Sequence, residues 1–107
     1  IEDLWAMMQA MPEYRDRTTF IITTDHGRGS GADDWTSHGE RIDGAEHIWM
    51  AVLGPDTPPR GELVQTMRVT QSQVAATIAA ALGLEREFMA ASPRSAPPVR
   101  EAIAGRR

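Results

Sequence analysis

The sequence predicts an α/β fold in which a largely parallel sheet is flanked by helices, and three observations predict it. Two continuous apolar runs, at residues 20–22 and 48–53, suit strands covered on both faces. Apolar residues recur at helical spacing before the first run and after the second. With 107 residues and 41% hydrophobic content, the chain has room for one core but not for two full domains.

In chain order, Ile1, Leu4, Trp5, Met8 and Met11 share one face of an amphipathic helix that Pro12 ends. Their Met and Trp content points to burial against a sheet, since such a stripe is far more often packing than a cofactor box. Residues 13–17, EYRDR, make a short charged connection. Residues 18–23, TTFIIT, are β-branched or aromatic throughout and read as a buried strand. Helix, connection and strand are half of a βαβ unit whose preceding strand is missing from the sequence.

Residues 27–44 carry five glycines and three aspartates with no sustained period, which predicts a long loop of functional kind. Trp35, Ile42 and the histidines argue against disorder there. Residues 48–53, IWMAVL, read as the next sheet strand, of undecided direction, and Gly54-Pro55 with Pro58 and Pro59 ends it. Thr70 and Gln73 fit a capping box. Val74, Ala75, Ile78, Ala81 and Leu82 then form a helical apolar face, and Gly83 stands where a left-handed cap would end the helix. Pro93, Pro97 and Pro98 predict an irregular tail over residues 85–107, with one or two turns at most at 99–103.

Composition removes several function classes. The net charge is -4 and no basic block exceeds Arg106-Arg107, so a nucleic-acid groove is not expected. The absence of cysteine excludes thiolate metal sites, thiol catalysis and disulfides, so any metal must be held by His and carboxylate. No apolar run approaches the roughly 20 residues of a membrane span, and no membrane partner is expected. The first residue is Ile1 rather than Met, and the chain is expected to be a piece of a longer one.

The chemistry-bearing residues cluster behind the first strand. Asp25 and His26 supply a hard oxygen and an imidazole on consecutive residues, and Gly27 allows a close backbone approach. In an isolated Asp-His-Gly, a polar turn with a surface imidazole is the commoner outcome. Here the triplet follows an apolar strand and precedes a glycine-rich loop, and Ser37-His38-Gly39 and Glu46-His47 follow it, so all three histidines fall in one region. His and Asp gathered at strand ends are the constellation of a divalent-metal hydrolase.

In TTFIITTDHG, and in the SHG and AVLGPDTP that follow it, the chain resembles the alkaline phosphatase superfamily. That superfamily includes phosphatases, nucleotide pyrophosphatases/phosphodiesterases, sulfatases and cofactor-independent phosphoglycerate mutases. The resemblance covers residues 1–84 and implies the C-terminal portion of its catalytic domain, an incomplete α/β/α sandwich, with 85–107 as the tail. It implies a hydrolase of phosphate or sulfate esters with two divalent ions, zinc or else manganese. Asp25 and His26 match the ligands of one ion. A later histidine holds the second, and His38 is preferred over His47, whose plainer alternative is a strand-edge side chain bonded to backbone.

Arg28 is a candidate for binding the anionic substrate, balanced against a solvated role, since Arg suits phosphate geometry. Asp33 and Asp34 read as solvated loop carboxylates, and Trp35 either walls the pocket or packs under the loop. The family's nucleophile, its N-terminal Asp ligand and its Asp-x-x-x-His pair have no counterpart here, and Ser30, Thr36 and Ser37 do not occupy the nucleophile's context. The chain alone is therefore expected to be inactive and to need the remainder of its parent polypeptide. Two rival readings are a non-catalytic scaffold domain of the same kind that binds a ligand through the 27–44 loop, and a small domain with one structural zinc at Asp25, His26 and His38.

Overall fold

The computed structural model describes residues 1–64 and 68–103; residues 104–107 of the expected tail lie outside them. The elements run α1 (Glu2–Ala10), β1 (Phe20–Thr23), β2 (Met50–Leu53), a 3-10 turn (Gln71–Gln73), α2 (Val74–Ala81), α3 (Glu85–Ala91) and a second 3-10 turn (Arg100–Ala102).

The expected α/β/α sandwich on a largely parallel sheet is not what forms. Among the described residues the sheet has two strands, β1 beside β2, and they run antiparallel. Thr19, before β1, abuts Gly54, after β2, while Thr23 at the other end of β1 bonds Trp49, before β2. Parallel neighbours need a crossover, usually helical, whereas residues 24–49 return the chain through turns alone. A continuous apolar run does not encode strand direction. All eight strand residues are half-buried, not enclosed on both faces.

The described residues divide into two compact units, one of residues 1–20 and 52–103 and one of 21–51. In the first unit, α1 stops where expected: Met11 is extended, as a residue before proline must be. Its apolar stripe is less covered than expected. Ile1 and Leu4 are at least half exposed, and Trp5 makes the main aromatic contact, edge-to-face on Phe20 at 5.3 Å.

The capping box at Thr70 forms, with the Thr70 N–H donating to Gln73 Oε1 at 3.0 Å. At the other end of α2, Leu84 N–H reaches Ala79 O at 2.8 Å and Gly83 N–H reaches Ala80 O at 3.0 Å. That is a Schellman motif, and Gly83 supplies its left-handed residue with φ 74°. The buried face of α2, however, is Ala76, Thr77 and Ala79. Ile78 and Leu82, expected inward, are exposed.

The reason for that rotation lies downstream. Residues 85–91, expected to be irregular, form α3 with Glu85 and Glu87 in its first turn, where carboxylates favour a helix start. The segment after it returns to α2: Val99 N–H donates to Thr77 Oγ1 at 3.0 Å, and Gln73 Nε2 donates to Pro97 O at 3.0 Å. Arg100 forms a forked ion pair with Glu85 across the same turn. Thr77 of α2 thus meets chain that the helical period of 74–82 could not reveal.

Candidate functional site

Residues 21–51 carry every candidate ligand. The strand end is fastened by Thr23, whose hydroxyl donates to the Trp49 carbonyl at 2.7 Å, and Asp25 and His26 follow directly. Gly27 N–H then donates to Ala45 O at 2.7 Å. A Cβ at Gly27 would run into the carbonyl oxygens of Gly44 and His47, so the triplet's glycine is required by the close passage of the 44–47 turn.

The loop that follows is closed by its own backbone. Gly29 N–H donates to Ser37 O at 2.9 Å, Ser37 N–H to Asp34 O at 2.7 Å, and Gly31 N–H to Asp34 Oδ1 at 2.7 Å. Asp34 is therefore a loop fastener, not the solvated carboxylate its surroundings in the sequence suggest. The Gly29–Ser37 bond returns the chain to its own start, and the residue after Ser37 arrives beside His26. The imidazoles of His26 and His38 stack with centroids 3.8 Å apart and planes 17° from parallel.

His26 has a defined tautomer. Its Nδ1 lies 2.6 Å from the Gly27 carbonyl oxygen, which can only accept, so Nδ1 carries the proton. In the neutral ring Nε2 then holds the lone pair, and it lies 3.7 Å from Asp25 Oδ2. Asp25 also accepts the His26 backbone N–H through Oδ1 at 3.0 Å.

The other residues singled out by sequence sit elsewhere. His47 Nε2 lies 3.7 Å from Glu46 Oε1, and its side chain is 79% exposed. Arg28 places its guanidinium 5.7 Å from the centre of the Trp35 ring, a cation–π contact. An open cleft of about 590 Å³ is lined by His26, His38 and the 39–46 turn, including Glu40, Arg41, Asp43 and Glu46. Arg28, Trp35 and His47 are not among its lining residues. Sequence reasoning passed over Glu40, Arg41 and Asp43. The signal available was a charged stretch between Gly39 and Gly44, directly after the His-Gly.

Whether these residues suit a divalent ion is a question of donors. An imidazole whose Nδ1–H is fixed on a carbonyl is the usual state of a metal-ligating histidine, and the free Nε2 faces a carboxylate oxygen. An ion about 2.0–2.2 Å from each atom could join them. Two donors fit the first step of a site and do not complete one: among the described residues, no group of three or more His, Asp or Glu side chains is arranged to hold a metal.

The chain was compared with protein-family models, with curated proteins and with solved structures, and none of the three comparisons found a match.

Proposed function

We propose that residues 21–51 carry part of the metal site of a two-metal hydrolase of phosphate or sulfate esters, of the alkaline phosphatase kind, the chain being a C-terminal portion of that enzyme. The observation that carries this reading is the His26 tautomer, with Nδ1–H on the Gly27 carbonyl at 2.6 Å and Nε2 turned to Asp25. The reading rests on the Asp-His-Gly triplet and its donors and takes nothing from the sheet architecture that the structure replaces.

In this reading Asp25 and His26 hold one ion and His38 the other. Bound divalent ions would acidify a nucleophile and stabilise charge on the transferring group. The chain's own residues orient that chemistry. The Gly27 carbonyl keeps the proton on Nδ1, the Gly29–Ser37 bond sets His38 against His26, and the cleft beside both rings admits the ester. The nucleophile and the remaining ligands come from outside these 107 residues.

The test is an assay of the complete gene product with chromogenic phosphate monoester, phosphate diester and sulfate ester, with zinc or manganese added. Hydrolysis of one of them, abolished by Asp25→Ala with His26→Ala, is the expected result. Turnover that survives the double substitution overturns the assignment.

A further inference from the structure

Met7, Met8 and Met11 bring three thioethers to the last turn of α1. The sequence favours packing for a stripe of this kind, and part of α1 does pack: Trp5 meets Phe20 edge-to-face, and Met8 is half-buried. Met7 and Met11 are left in solvent, 48% and 37% exposed. Burial does not account for these two side chains.

The backbone holds the three residues in one place. Met7 and Met8 lie inside the helix, and Met11 closes it, its N–H donating to the Met8 carbonyl at 3.3 Å. The Met11 carbonyl in turn accepts the N–H groups of Tyr14 and Arg15 at 3.0 and 2.9 Å. Residue 11 is thus pinned from both sides. At about 3.6 residues per turn, Met11 falls between Met7 and Met8 around the helix, and all three start within an arc of about 100°. Helical residues three and four apart have Cβ atoms about 5–6 Å from each other, and the three rotatable bonds of methionine let neighbouring sulfurs turn toward one ion.

The donor type selects the ion. Polarisable sulfur suits copper(I), whereas carboxylate, carbonyl and water suit magnesium and calcium. A thioether brings no negative charge to offset a divalent ion, and the chain has no cysteine to supply a thiolate. The helix itself sets no positive side chain against a cation: α1 carries Glu2 and Asp3 in its first turn and no basic residue in its last. The nearby Arg15 is engaged, its Nε–H donating to the Gln9 carbonyl at 2.9 Å.

We propose that Met7, Met8 and Met11 form a binding site for a soft monovalent cation, copper(I). The site shares no residue with the ester-hydrolase reading above and stands or falls separately from it.

The 107-residue chain, labelled with carbon-13 at the methionine methyl groups, is titrated at pH 7 in chloride-free buffer with silver nitrate, Ag(I) being the redox-stable probe for copper(I). The Met7, Met8 and Met11 methyl signals should move together with a single midpoint, while those of Met50 and Met89 hold still. Zinc should leave all of them in place. Copper(I) added without oxygen should give the same pattern as silver. Met7→Leu with Met11→Leu keeps apolar, helix-forming side chains and should abolish the shift at Met8, with the far-UV circular dichroism unchanged.

Unmoved signals, separate midpoints for the three methionines, an equal response at Met50 and Met89, or the same shifts with zinc overturn the proposal. The wild-type titration decides among these outcomes even if the double variant loses its helix.

Discussion

His26 and His38 lie ring on ring, 3.8 Å between centroids and 17° from parallel, although the chain leaves the first and returns to the second through a loop of turns. The contact can serve as packing or as the meeting of two ligand sets. Phenylalanine at position 38 separates these roles, because it keeps a flat ring and removes the donor nitrogens. If His38 is a ligand, His38→Phe and His38→Ala should both lower activity of the complete gene product by more than about 100-fold, beyond the usual cost of an outer-shell change. If the ring only packs, His38→Phe should retain activity and His38→Ala should not.

The passage of the 44–47 turn over Gly27 makes a second prediction. A methyl group at Gly27 meets the carbonyl oxygens of Gly44 and His47, and backbone cannot yield as a flexible side chain would. Gly27→Ala should break the Gly27–Ala45 hydrogen bond and cost about 1–3 kcal/mol, the range for overpacking. Urea denaturation gives the energy. The NMR signals of the His26 and His38 rings should move together, since Gly27 also supplies the carbonyl that fixes the His26 tautomer.

How much of this was legible follows from the range of each signal. The end of α1 before Pro12, the capping box at Thr70 and the left-handed Gly83 are written within a few residues and appear where expected. The direction of the sheet is not local. Residues 20–22 and 48–53 have the same composition whether the connection crosses over the sheet or folds back, and here it folds back. The inward face of α2 was misread for a related cause. Thr77 is bonded to a segment some 20 residues downstream, and the 3.6-residue period cannot weigh a partner it does not include. At the site, Asp25 and His26 stood out as chemistry beside a glycine. The nearness of His38 depends on the Gly29–Ser37 bond, and Arg41 owes its place to two turns, neither of which has a side-chain signature.

The Glu85–Arg100 pair carries a prediction about pH. The hydrogen bonds from Arg100 to Glu85 raise the arginine's pKa above its ordinary value, against an opposing effect of burial. A group whose folded-state pKa is raised contributes stability that is fully present below its unfolded value and is lost as pH passes the folded one. Both lie well beyond the alkaline end of the range from pH 6 to 10, so this arginine's titration should leave stability flat across it. The Arg100 side chain is 68% exposed, so Arg100→Gln should cost only about 0.2–1 kcal/mol, and the loss should shrink in 1 M salt. Urea midpoints at pH 6, 8 and 10, with and without salt, check both statements. A wild-type to Arg100→Gln difference that varies strongly across that range would contradict the first.

Thr77 is the side chain whose removal should cost most in the unit of residues 1–20 and 52–103. It is fully buried, its hydroxyl donates to Gln73 O at 2.7 Å, and the same oxygen accepts the Val99 N–H at 3.0 Å. Valine has nearly the same shape but offers no acceptor, so Thr77→Val leaves a buried N–H unpaired. That should cost about 1–3 kcal/mol, with urea midpoint as the measure. Serine keeps the oxygen and loses a methyl group, so Thr77→Ser should cost about the transfer of one carbon, near 1 kcal/mol, and preserve the bond. Hydrogen exchange at the Val99 amide distinguishes the two. It should accelerate in Thr77→Val by more than the change in global stability accounts for, and track global stability in Thr77→Ser. Equal protection of Val99 in both variants would mean that residues 97–102 are held to α2 by the Gln73–Pro97 and Glu85–Arg100 contacts instead.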